Sequence, residues 1–211
     1  MDGNARWAAE HGKSTLDGHR AGAAALKRTV RAAAEQGVED LCVYAFSTEN
    51  WNRPSFEVAG LMKMFGELID SEVPELHDEG IRVRFIGRRD RAPKRLLRKI
   101  DWAEELTGNN RNLCLYVAFD YGGRHEILEA AAKYDGGGEE AFRSHLYAPE
   151  MRDPDIVIRT SGEIRLSNFL LWQAAYAELV FTDVLWPDFG ADDLAAALAE
   201  YGARQRRFGA R

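Results

Sequence analysis

Residues 156–178 read IVIRTSGEIRLSNFLLWQAAYAE, and the organisation of the whole chain can be inferred outward from them. The β-branched run at 156–158 is short and apolar, which predicts a buried parallel strand. The ten positions that follow, 159–168, contain six residues suited to a ligand site: Arg159, Ser161, Gly162, Arg165, Ser167 and Asn168. A guanidinium offers a fixed fork of N–H donors and keeps its charge, so two arginines beside hydroxyls suit a phosphate or diphosphate. Because open α/β sheets bind ligands at the carboxyl ends of their strands, the segment predicts an anion site, with a solvated basic turn as the alternative.

The rest of the chain alternates between helical and strand patterns. Predicted helices cover residues 19–36, 56–77, 93–106, 122–134 and 191–206, and predicted strands cover 40–46, 81–86, 113–119 and 156–158. This order predicts an α/β fold with a mainly parallel central sheet flanked by helices. With 211 residues and no repeat or linker, we expect a single domain over residues 1–211.

Composition narrows the function. Apolar residues make up 45% and charged residues 29% of the chain, and the net charge of −6 argues against a general nucleic-acid binder. Cys42 and Cys114 lie in apolar runs and are predicted to be buried thiols. No apolar run approaches the roughly 18 residues of a membrane span, and no signal peptide opens the chain. We therefore expect a cytoplasmic protein with at most peripheral membrane contact.

The segment MDGNARW, residues 1–7, resembles a second anion site. Gly3 and Asn4 tolerate tight turns, and exposed backbone N–H groups beside Arg6 would hold an anion. Asp2 could hold Mg²⁺ as a single carboxylate while bound phosphates supply further ligands. A disordered terminus is the alternative. His19 is predicted at the start of the first long helix, where it is either a cap or part of the site.

Two further corners follow predicted strands. The first is AFSTENWNRP, residues 45–54, in which Asn50 can orient a substrate or relay a proton and Trp51 can stack on an apolar or cationic group. The second is YGGR, residues 121–124, between a strand and a helix. Each corner alone is an ordinary turn, but their repetition at strand ends predicts an active site.

These motifs together carry a family resemblance. MDGNxRWA, GHxxG, YAFSTENWxRPxxEV, YGGRxEI and RTSGExRLSNFLLWQxxYAEL, followed by WPDF, resemble the cis-prenyltransferases, the undecaprenyl diphosphate synthase family, over nearly the whole chain. The resemblance implies a homodimer whose subunit has a parallel sheet around an apolar tunnel. The stripe of Val58, Leu61, Met62 and Phe65 could line that tunnel, although core packing explains each residue equally well.

The resemblance also implies roles for individual residues. Asp2 and Glu178 would share Mg²⁺, and Asp2, His19 and Asn50 would be catalytic. An allylic prenyl diphosphate would be bound by Gly3, Asn4, Ala5, Arg6, Trp7 and His19. Isopentenyl diphosphate would be bound by Arg159, Arg165 and Ser167, with Arg207 and Gly209 reaching the partner subunit's diphosphate. The reacting ends would be aligned by Ser47, Glu49, Asn50, Trp51 and Arg53.

The chain departs from the family pattern at several points. The family has a short apolar strand before MDGN, and we interpret its absence here as trimming. Thr15 stands where an arginine usually binds the allylic diphosphate, and Asp17 adds an acid nearby. Loss of such a charge-assisted contact, worth ~1.5–3 kcal/mol, predicts roughly tenfold to hundredfold weaker donor binding. The 134–155 segment is short, and Arg88 occupies a position where an acid is common.

Three functions follow from these observations. The retained RTSGE and SNF motifs favour regular cis condensation of an allylic diphosphate with isopentenyl diphosphate. Thr15 and Asp17 favour the alternative, an irregular head-to-middle coupling of two allylic diphosphates of the lavandulyl type. A non-catalytic partner subunit is the third, and the retained aspartate and arginines argue against it. Product length stays open, although the compact chain favours a short or medium product.

Overall fold

The computed structural model describes residues 1–204, which form two compact units. Unit 1 comprises Met1–Gly37, Arg152–Ser167 and the chain from Leu171 onward, and unit 2 comprises Val38–Met151 and Asn168–Leu170. Arg207 and Gly209 lie outside the described residues. The elements in chain order are α1 (Asn4–Glu10), α2 (Thr15–Glu35), β1 (Asp40–Ser47), α3 (Ser55–Asp78), β2 (Ile81–Ile86), α4 (Lys94–Thr107), β3 (Leu113–Tyr121), α5 (Gly123–Ala131), α6 (Gly138–Arg143), β4 (Ile156–Arg159), β5 (Glu178–Phe181) and α7 (Ala191–Ala203). Short 3₁₀ turns occupy Thr48–Asn52, Gln173–Tyr176 and Trp186–Asp188.

Unit 2 contains a three-stranded parallel sheet in the order β1-β3-β2. The central strand β3 is buried along nearly its whole length, as expected for a parallel strand covered on both faces. The helices α3 and α4 pack against each other and against β2. The helix α4 forms the crossover between the neighbouring strands β2 and β3, and α3 connects β1 to β2, which lie on either side of β3. Because β1 and β3 run in the same direction, Ser47 and Tyr121 end the two strands side by side. The corners that follow these strands therefore start at one edge of the sheet.

The core of unit 2 contains the predicted apolar stripe of α3. Val58, Leu61 and Met62 are buried, and Phe65 makes edge-to-face contacts with Phe46 and Phe119 at centroid distances of 6.2 and 5.3 Å. These side chains pack as core. Their role as the lining of a tunnel stays a prediction.

Unit 1 contains the parallel pair β4–β5, with Ile156 opposite Glu178 and Arg159 opposite Phe181. The long helix α2 contacts α1, α7 and the 3₁₀ turn at Trp186–Asp188. The predicted α/β class is confirmed, because helices flank parallel strands and every strand pair in residues 1–204 is parallel. The assignment of one domain stays a prediction.

The structure corrects several predicted element boundaries. The helix α2 begins at Thr15, four residues before the predicted start, because Ser14 and Asp17 form a capping box: Ser14 Oγ accepts the Asp17 N–H at 3.2 Å. The placement of His19 at the helix start was therefore wrong, since it lies one turn further in. The prediction missed α1, α6 and β5, which are four to seven residues long and too short to show a hydrophobic period. Within residues 1–204, no helix has both the length and the apolar character needed to cross a bilayer.

Two glycines of the GHxxG motif allow α1 to approach α2. A Cβ atom at Gly18 would lie 2.1 Å from the backbone oxygen of Asn4 and 2.9 Å from Cβ of Ala8. A Cβ atom at Gly22 would lie 2.3 Å from Oδ1 of Asn4. The motif therefore has a packing function: it sets the distance between the segment that carries Asp2–Arg6 and the long helix.

This packing predicts that Gly18→Ala destabilises the protein although alanine favours helices. We expect the free energy of unfolding to fall by about 1–3 kcal/mol, because the added methyl group overlaps backbone atoms that cannot rotate away. Gly60→Ala in α3 is the matched control, since within residues 1–204 no atom other than those of its chain neighbours and the nearby backbone of its own helix lies within 4 Å of its Cβ position. It should be neutral or stabilising by up to ~1 kcal/mol. Urea denaturation of the three proteins measures the difference. Equal stability of the two variants would contradict the packing function.

Candidate active site

Arg159 lies at the carboxyl end of β4 in unit 1 and joins residues that are far apart in sequence. Its Nη2 donates to Asp2 Oδ2 at 2.9 Å, and its Nη1 donates to Ser167 Oγ at 2.6 Å and to the carbonyl oxygen of Arg165. The Arg159 side chain is only 15% exposed. Two of the predicted site residues, Asp2 and Ser167, and the backbone of a third, Arg165, are thus held by one guanidinium group.

Asp2 is fixed by its backbone as well as by its carboxylate. Its N–H donates to Thr160 Oγ1 at 3.0 Å, and the same hydroxyl donates to the Asp2 carbonyl oxygen at 2.9 Å. The other carboxylate oxygen accepts the Gly3 N–H at 2.8 Å. Partial burial raises the pKa of Asp2, but the hydrogen bond and charge of Arg159 lower it by more, so the pKa lies below its ordinary value. Asp2 is therefore an ionised carboxylate at neutral pH.

Two exposed cations lie beside this group: Arg165 in the loop after β4, and Arg6 on α1. Arg6 donates to the carbonyl oxygen of Ser161 at 2.8 Å and lies 3.5 Å from Glu163, which also pairs with Arg165. Because both arginines are exposed, each can turn towards an anion. Ser161 has a φ of 74° and is buried, and its hydroxyl has no partner among the described residues. A hydroxyl left in that state is an available donor to a polar ligand.

Two backbone N–H groups of the loop are already hydrogen-bonded within unit 1. The N–H of Ser161 donates to Val184 and the N–H of Gly162 donates to Thr182, both at 2.8 Å. These amides are already used, so the hydroxyl and guanidinium groups remain for a ligand.

The other predicted residues of unit 1 lie on α1 and α2. Gly3 is in the left-handed region with a φ of 106°, and Asn4, Ala5 and Arg6 form the first turn of α1. Trp7 donates its indole N–H to Asp188 Oδ1 at 2.8 Å and stacks on His11. The predicted turn at Gly3 is thus present, and a short helix rather than an extended segment follows it.

Asp2 and Glu178 are not brought together within this chain. Asp2 is bound at the carboxyl end of β4, whereas Glu178 begins β5 opposite Ile156 and pairs with Arg204 at 2.8 Å. At about 3.3 Å per residue, the three steps from Ile156 to Arg159 separate the two ends by roughly 10 Å. Within this chain the two carboxylates thus lie at opposite ends of the β4–β5 ladder, and their sharing of a magnesium ion stays a prediction. Among residues 1–204, no group of three or more His, Cys, Asp or Glu could hold a metal ion by itself.

Asp2 alone still fits a magnesium ion that brings its own ligands. Mg²⁺ is usually bound by one or two carboxylates together with substrate phosphates and water. Asp2 is ionised and its side chain is 43% exposed, so it can offer oxygen atoms to such an ion. The protein would thus supply one carboxylate to such a site, and substrate phosphates and water would supply the remaining ligands.

In unit 2, the corner after β1 is a 3₁₀ turn closed by Asn50. Its Oδ1 accepts the N–H of Ser47 at 3.0 Å, which fixes the turn. Trp51 donates its indole N–H to Asp120 at 2.9 Å, and Arg53 pairs with Glu57 at 2.8 Å. The structure thus brings together the predicted residues of this corner.

Asn168 joins this corner to the YGGR motif. Its Nδ2 donates to Glu49 Oε1 at 2.9 Å, its Oδ1 accepts the N–H of Arg124 at 2.8 Å, and its carbonyl accepts the N–H of Gly123 at 2.8 Å. A Cβ atom at Gly122 would lie 2.6 Å from Thr48 Oγ1 and 2.8 Å from Asn168 Nδ2. Gly122 is therefore needed because two loops meet there.

Sequence reasoning missed three residues that hold these groups: Thr160, Arg91 and Asp120. Asp120 could have been noticed, because it is an acid at the end of the buried run LCLYVAFDY, where a charge requires a partner. Thr160 and Arg91 carry no such signal.

The fold and the site residues define an α/β protein with parallel strands whose carboxyl ends carry the candidate catalytic groups. The family model described as putative undecaprenyl diphosphate synthase matches residues 1–209. The chain therefore belongs to the undecaprenyl diphosphate synthase family of cis-prenyltransferases.

Individual relatives agree with this assignment. The isoprenyl transferase 2 of Bradyrhizobium diazoefficiens is 47% identical, and the match covers 99% of this chain and 87% of the relative. The ditrans,polycis-undecaprenyl-diphosphate synthase of Escherichia coli is 48% identical over the same shares. The crystal structure of lavandulyl diphosphate synthase from Lavandula x intermedia, in complex with dimethylallyl diphosphate, superposes with a TM-score of 0.95 at 37% identity, covering 99% of this chain and 95% of that one. All three are members of a transferase family, and this chain is one as well.

The contact between Asn168 and Glu49 predicts a measurable shift in titration. Partial burial raises the pKa of Glu49, but the hydrogen bond from Asn168, with smaller ones from its own backbone, Ser47 and Thr48, lowers it below its ordinary value. Asn168→Gly removes that bond without straining the backbone, which has a φ of 67° there. We expect the Glu49 pKa to rise in carbon-detected NMR titrations, because the largest contact that lowers it is lost.

An internal control is Asp90, whose pKa Arg88 lowers to about 2 and which should titrate unchanged in Asn168→Gly. Because the Glu49 pKa is lower in the folded than in the unfolded protein, its contact with Asn168 stabilises the fold at pH values above the unfolded pKa. This stabilisation is lost as the pH falls through the pKa of Glu49 in the folded protein. The difference in unfolding free energy between wild type and variant should therefore narrow in acid. An unchanged Glu49 titration would contradict the contact.

Proposed function

We propose that this protein condenses an allylic prenyl diphosphate with isopentenyl diphosphate, in a reaction that depends on Mg²⁺ and forms a cis-prenyl diphosphate. The observation that carries the proposal is the group held by Arg159, in which Asp2 and Ser167 meet at the carboxyl end of β4 in a cis-prenyltransferase family member. Cytoplasmic location and a homodimer belong to the proposal as expectations from the resemblance.

The acceptor diphosphate would be bound by Arg159, Arg165 and Ser167. A bidentate guanidinium and a hydroxyl match the oxygen atoms of a diphosphate. Arg159 is preorganised by its bonds to neighbouring residues, and Arg165 is exposed and able to exchange its partner Glu163 for the substrate. The donor diphosphate would be bound by Arg6 together with Gly3, Asn4, Ala5, Trp7 and His19. The unpartnered hydroxyl of Ser161 supports a polar ligand beside Arg6.

Asp2 would hold the magnesium ion, and the ion would add positive charge beside the diphosphate bound at the Arg159 group. In this structure the Asp2 carboxylate is paired with Arg159. With the ion bound, the carboxylate would have two cationic partners, Arg159 and Mg²⁺. Glu178 is paired with Arg204 at the other end of the β4–β5 ladder, and we propose that it takes part only through a second copy of the chain. In the same proposal, Arg207 and Gly209 of one copy reach the diphosphate bound by the other.

The chemistry required of the residues is charge stabilisation. The bond from the allylic carbon to its diphosphate breaks, the alkene of isopentenyl diphosphate forms the new carbon–carbon bond, and a proton is lost from that acceptor. Arginine side chains stabilise the negative charge on the leaving group, and the aromatic rings of Trp51 and Phe46 can shelter the positive carbon. Asn50, Arg53, Ser47 and Glu49 form the rigid corner that would align the reacting ends.

The second candidate is irregular coupling of two allylic diphosphates. The similarity to the lavandulyl diphosphate synthase structure supports it, as does Thr15, which is exposed at the first position of α2 and adds no positive charge. Asp17 argues less strongly for it than its sequence position suggests, because its charge is used by the capping box and by Arg20 at 3.1 Å. The retained Arg159 group would accept a diphosphate in either reaction, so regular condensation stays the first candidate.

Two parallel incubations distinguish these functions. With Mg²⁺, dimethylallyl or geranyl diphosphate and isopentenyl diphosphate, we expect a linear cis product. With the allylic diphosphate alone, we expect no carbon–carbon coupling, because regular chemistry needs the terminal alkene of the isopentenyl group. Labelled products are identified by chromatography and mass spectrometry, which also report chain length. A branched product from the allylic substrate alone would establish the irregular reaction instead, and inactivity in both tubes would contradict a catalytic subunit.

A further inference from the structure

Asp120 is a fully buried acid at the end of strand β3. The residue is 0% exposed and has a φ of 48°, a left-handed conformation that few residues other than glycine, asparagine and aspartate adopt. A buried carboxylate is costly unless it is paired and hydrogen-bonded. The strand therefore ends on a side chain whose retention requires specific partners.

The partners of Asp120 are Trp51 and Arg91. One carboxylate oxygen accepts the indole N–H of Trp51 at 2.9 Å and also the Nη2 of Arg91. The other oxygen accepts the Nε of Arg91 at 3.0 Å. The Arg91 guanidinium lies 5.3 Å from the centroid of the Trp51 ring, within the range of a cation–π interaction. The three side chains form a closed triangle.

The backbone that carries Arg91 is also fixed against β3. Gly87 has a φ of 124°, and a Cβ atom there would lie 2.1 Å from the carbonyl oxygen of Phe119. The N–H of Arg88 donates to the carbonyl oxygen of Asp120 at 3.1 Å, and its side chain pairs with Asp90. Arg88, which departs from the family pattern, thus stands directly beside the buried acid.

Trp51 is consequently held on several sides. Asp120 fixes its N–H, Arg91 lies over its ring, and Phe46 contacts it edge-to-face at a centroid distance of 5.3 Å. These contacts together fix the orientation of the indole ring. Without the carboxylate, the N–H loses its acceptor and the guanidinium loses its counter-charge together.

We propose that Asp120 and Arg91 are positioning residues that act on the prenyl-transfer reaction through the orientation of Trp51. The proposal rests on the proposed function, in which Trp51 faces the reacting carbon atoms. Asp120 does not touch the substrate. Its contribution is to hold one aromatic ring in the orientation that shelters positive charge, and Arg91 holds the carboxylate in place.

A double-mutant cycle between Asp120→Asn and Trp51→Phe tests the proposal. Asparagine has nearly the same shape, tolerates the left-handed backbone and removes the charge, while phenylalanine removes only the N–H and one ring. Because small misplacements at a site have large kinetic effects, we expect Asp120→Asn to lower kcat by about tenfold in the wild type but by less than about twofold in Trp51→Phe. Glu104→Gln is the matched control, since Glu104 also pairs with two arginines, Arg84 and Arg89, and is unconnected to Trp51. It should change kcat by less than about twofold in either background.

A second readout does not depend on activity. In ¹⁵N-labelled protein, the indole N–H resonance that disappears in Trp51→Phe belongs to Trp51. In Asp120→Asn that resonance should shift and exchange faster with D₂O, and in Glu104→Gln it should stay unchanged. Circular dichroism establishes that each variant is folded, and Arg91→Gln replaces Asp120→Asn in both measurements if the latter does not fold.

The outcomes separate the two proposals. Three results would each overturn the positioning function. The first is an equal loss of kcat from Asp120→Asn in the wild type and in Trp51→Phe. The others are a Trp51→Phe variant as active as wild type and an indole resonance that does not move in Asp120→Asn. If the wild type couples no prenyl diphosphates, the proposed function fails, while the resonance still tests whether Asp120 holds Trp51.

Discussion

A guanidinium group that is mostly buried must find acceptors for its N–H groups, and Arg159 finds them on two separate segments of unit 1. It binds the carboxylate of Asp2 on one side and the hydroxyl of Ser167 with the carbonyl of Arg165 on the other. One side chain at the end of a four-residue strand thereby orders both the segment before α1 and the loop after β4. The geometry of the candidate diphosphate site depends on this contact.

Charge pairing explains how an acidic protein can offer positive groups to an anion. The net charge is −6, yet partly buried arginines in both units are each held by a carboxylate: Arg159 by Asp2, Arg204 by Glu178 and Arg91 by Asp120. Pairing holds these side chains in fixed positions and lowers the free energy of their burial. An anionic ligand then competes with the carboxylates, and a divalent cation on Asp2 would compensate the carboxylate charge that is released.

Sequence reasoning was most successful where a pattern is long or a motif is dense. The stripe of α3 and the strands β2 and β4 were predicted within one residue, because apolar periodicity and β-branched runs report burial directly. The helix α2 was predicted late because the capping box at Ser14 and Asp17 was overlooked. The relation between Asp2 and Glu178 could not be predicted, since it depends on the register of β4 and β5. Asp120 was missed because its partners lie 29 and 69 residues away along the chain.

The central claim is that the group held by Arg159 binds diphosphate through a magnesium ion on Asp2. Calorimetric titration of isopentenyl diphosphate, without an allylic partner, tests this claim in excess Mg²⁺ and in EDTA for wild type, Asp2→Asn and the exposed control Asp192→Asn. We predict that Mg²⁺ tightens binding by at least about tenfold, or 1.4 kcal/mol, in wild type and in Asp192→Asn, and that Asp2→Asn loses this gain. An Asp2→Asn variant that keeps the full gain from Mg²⁺ would contradict the account.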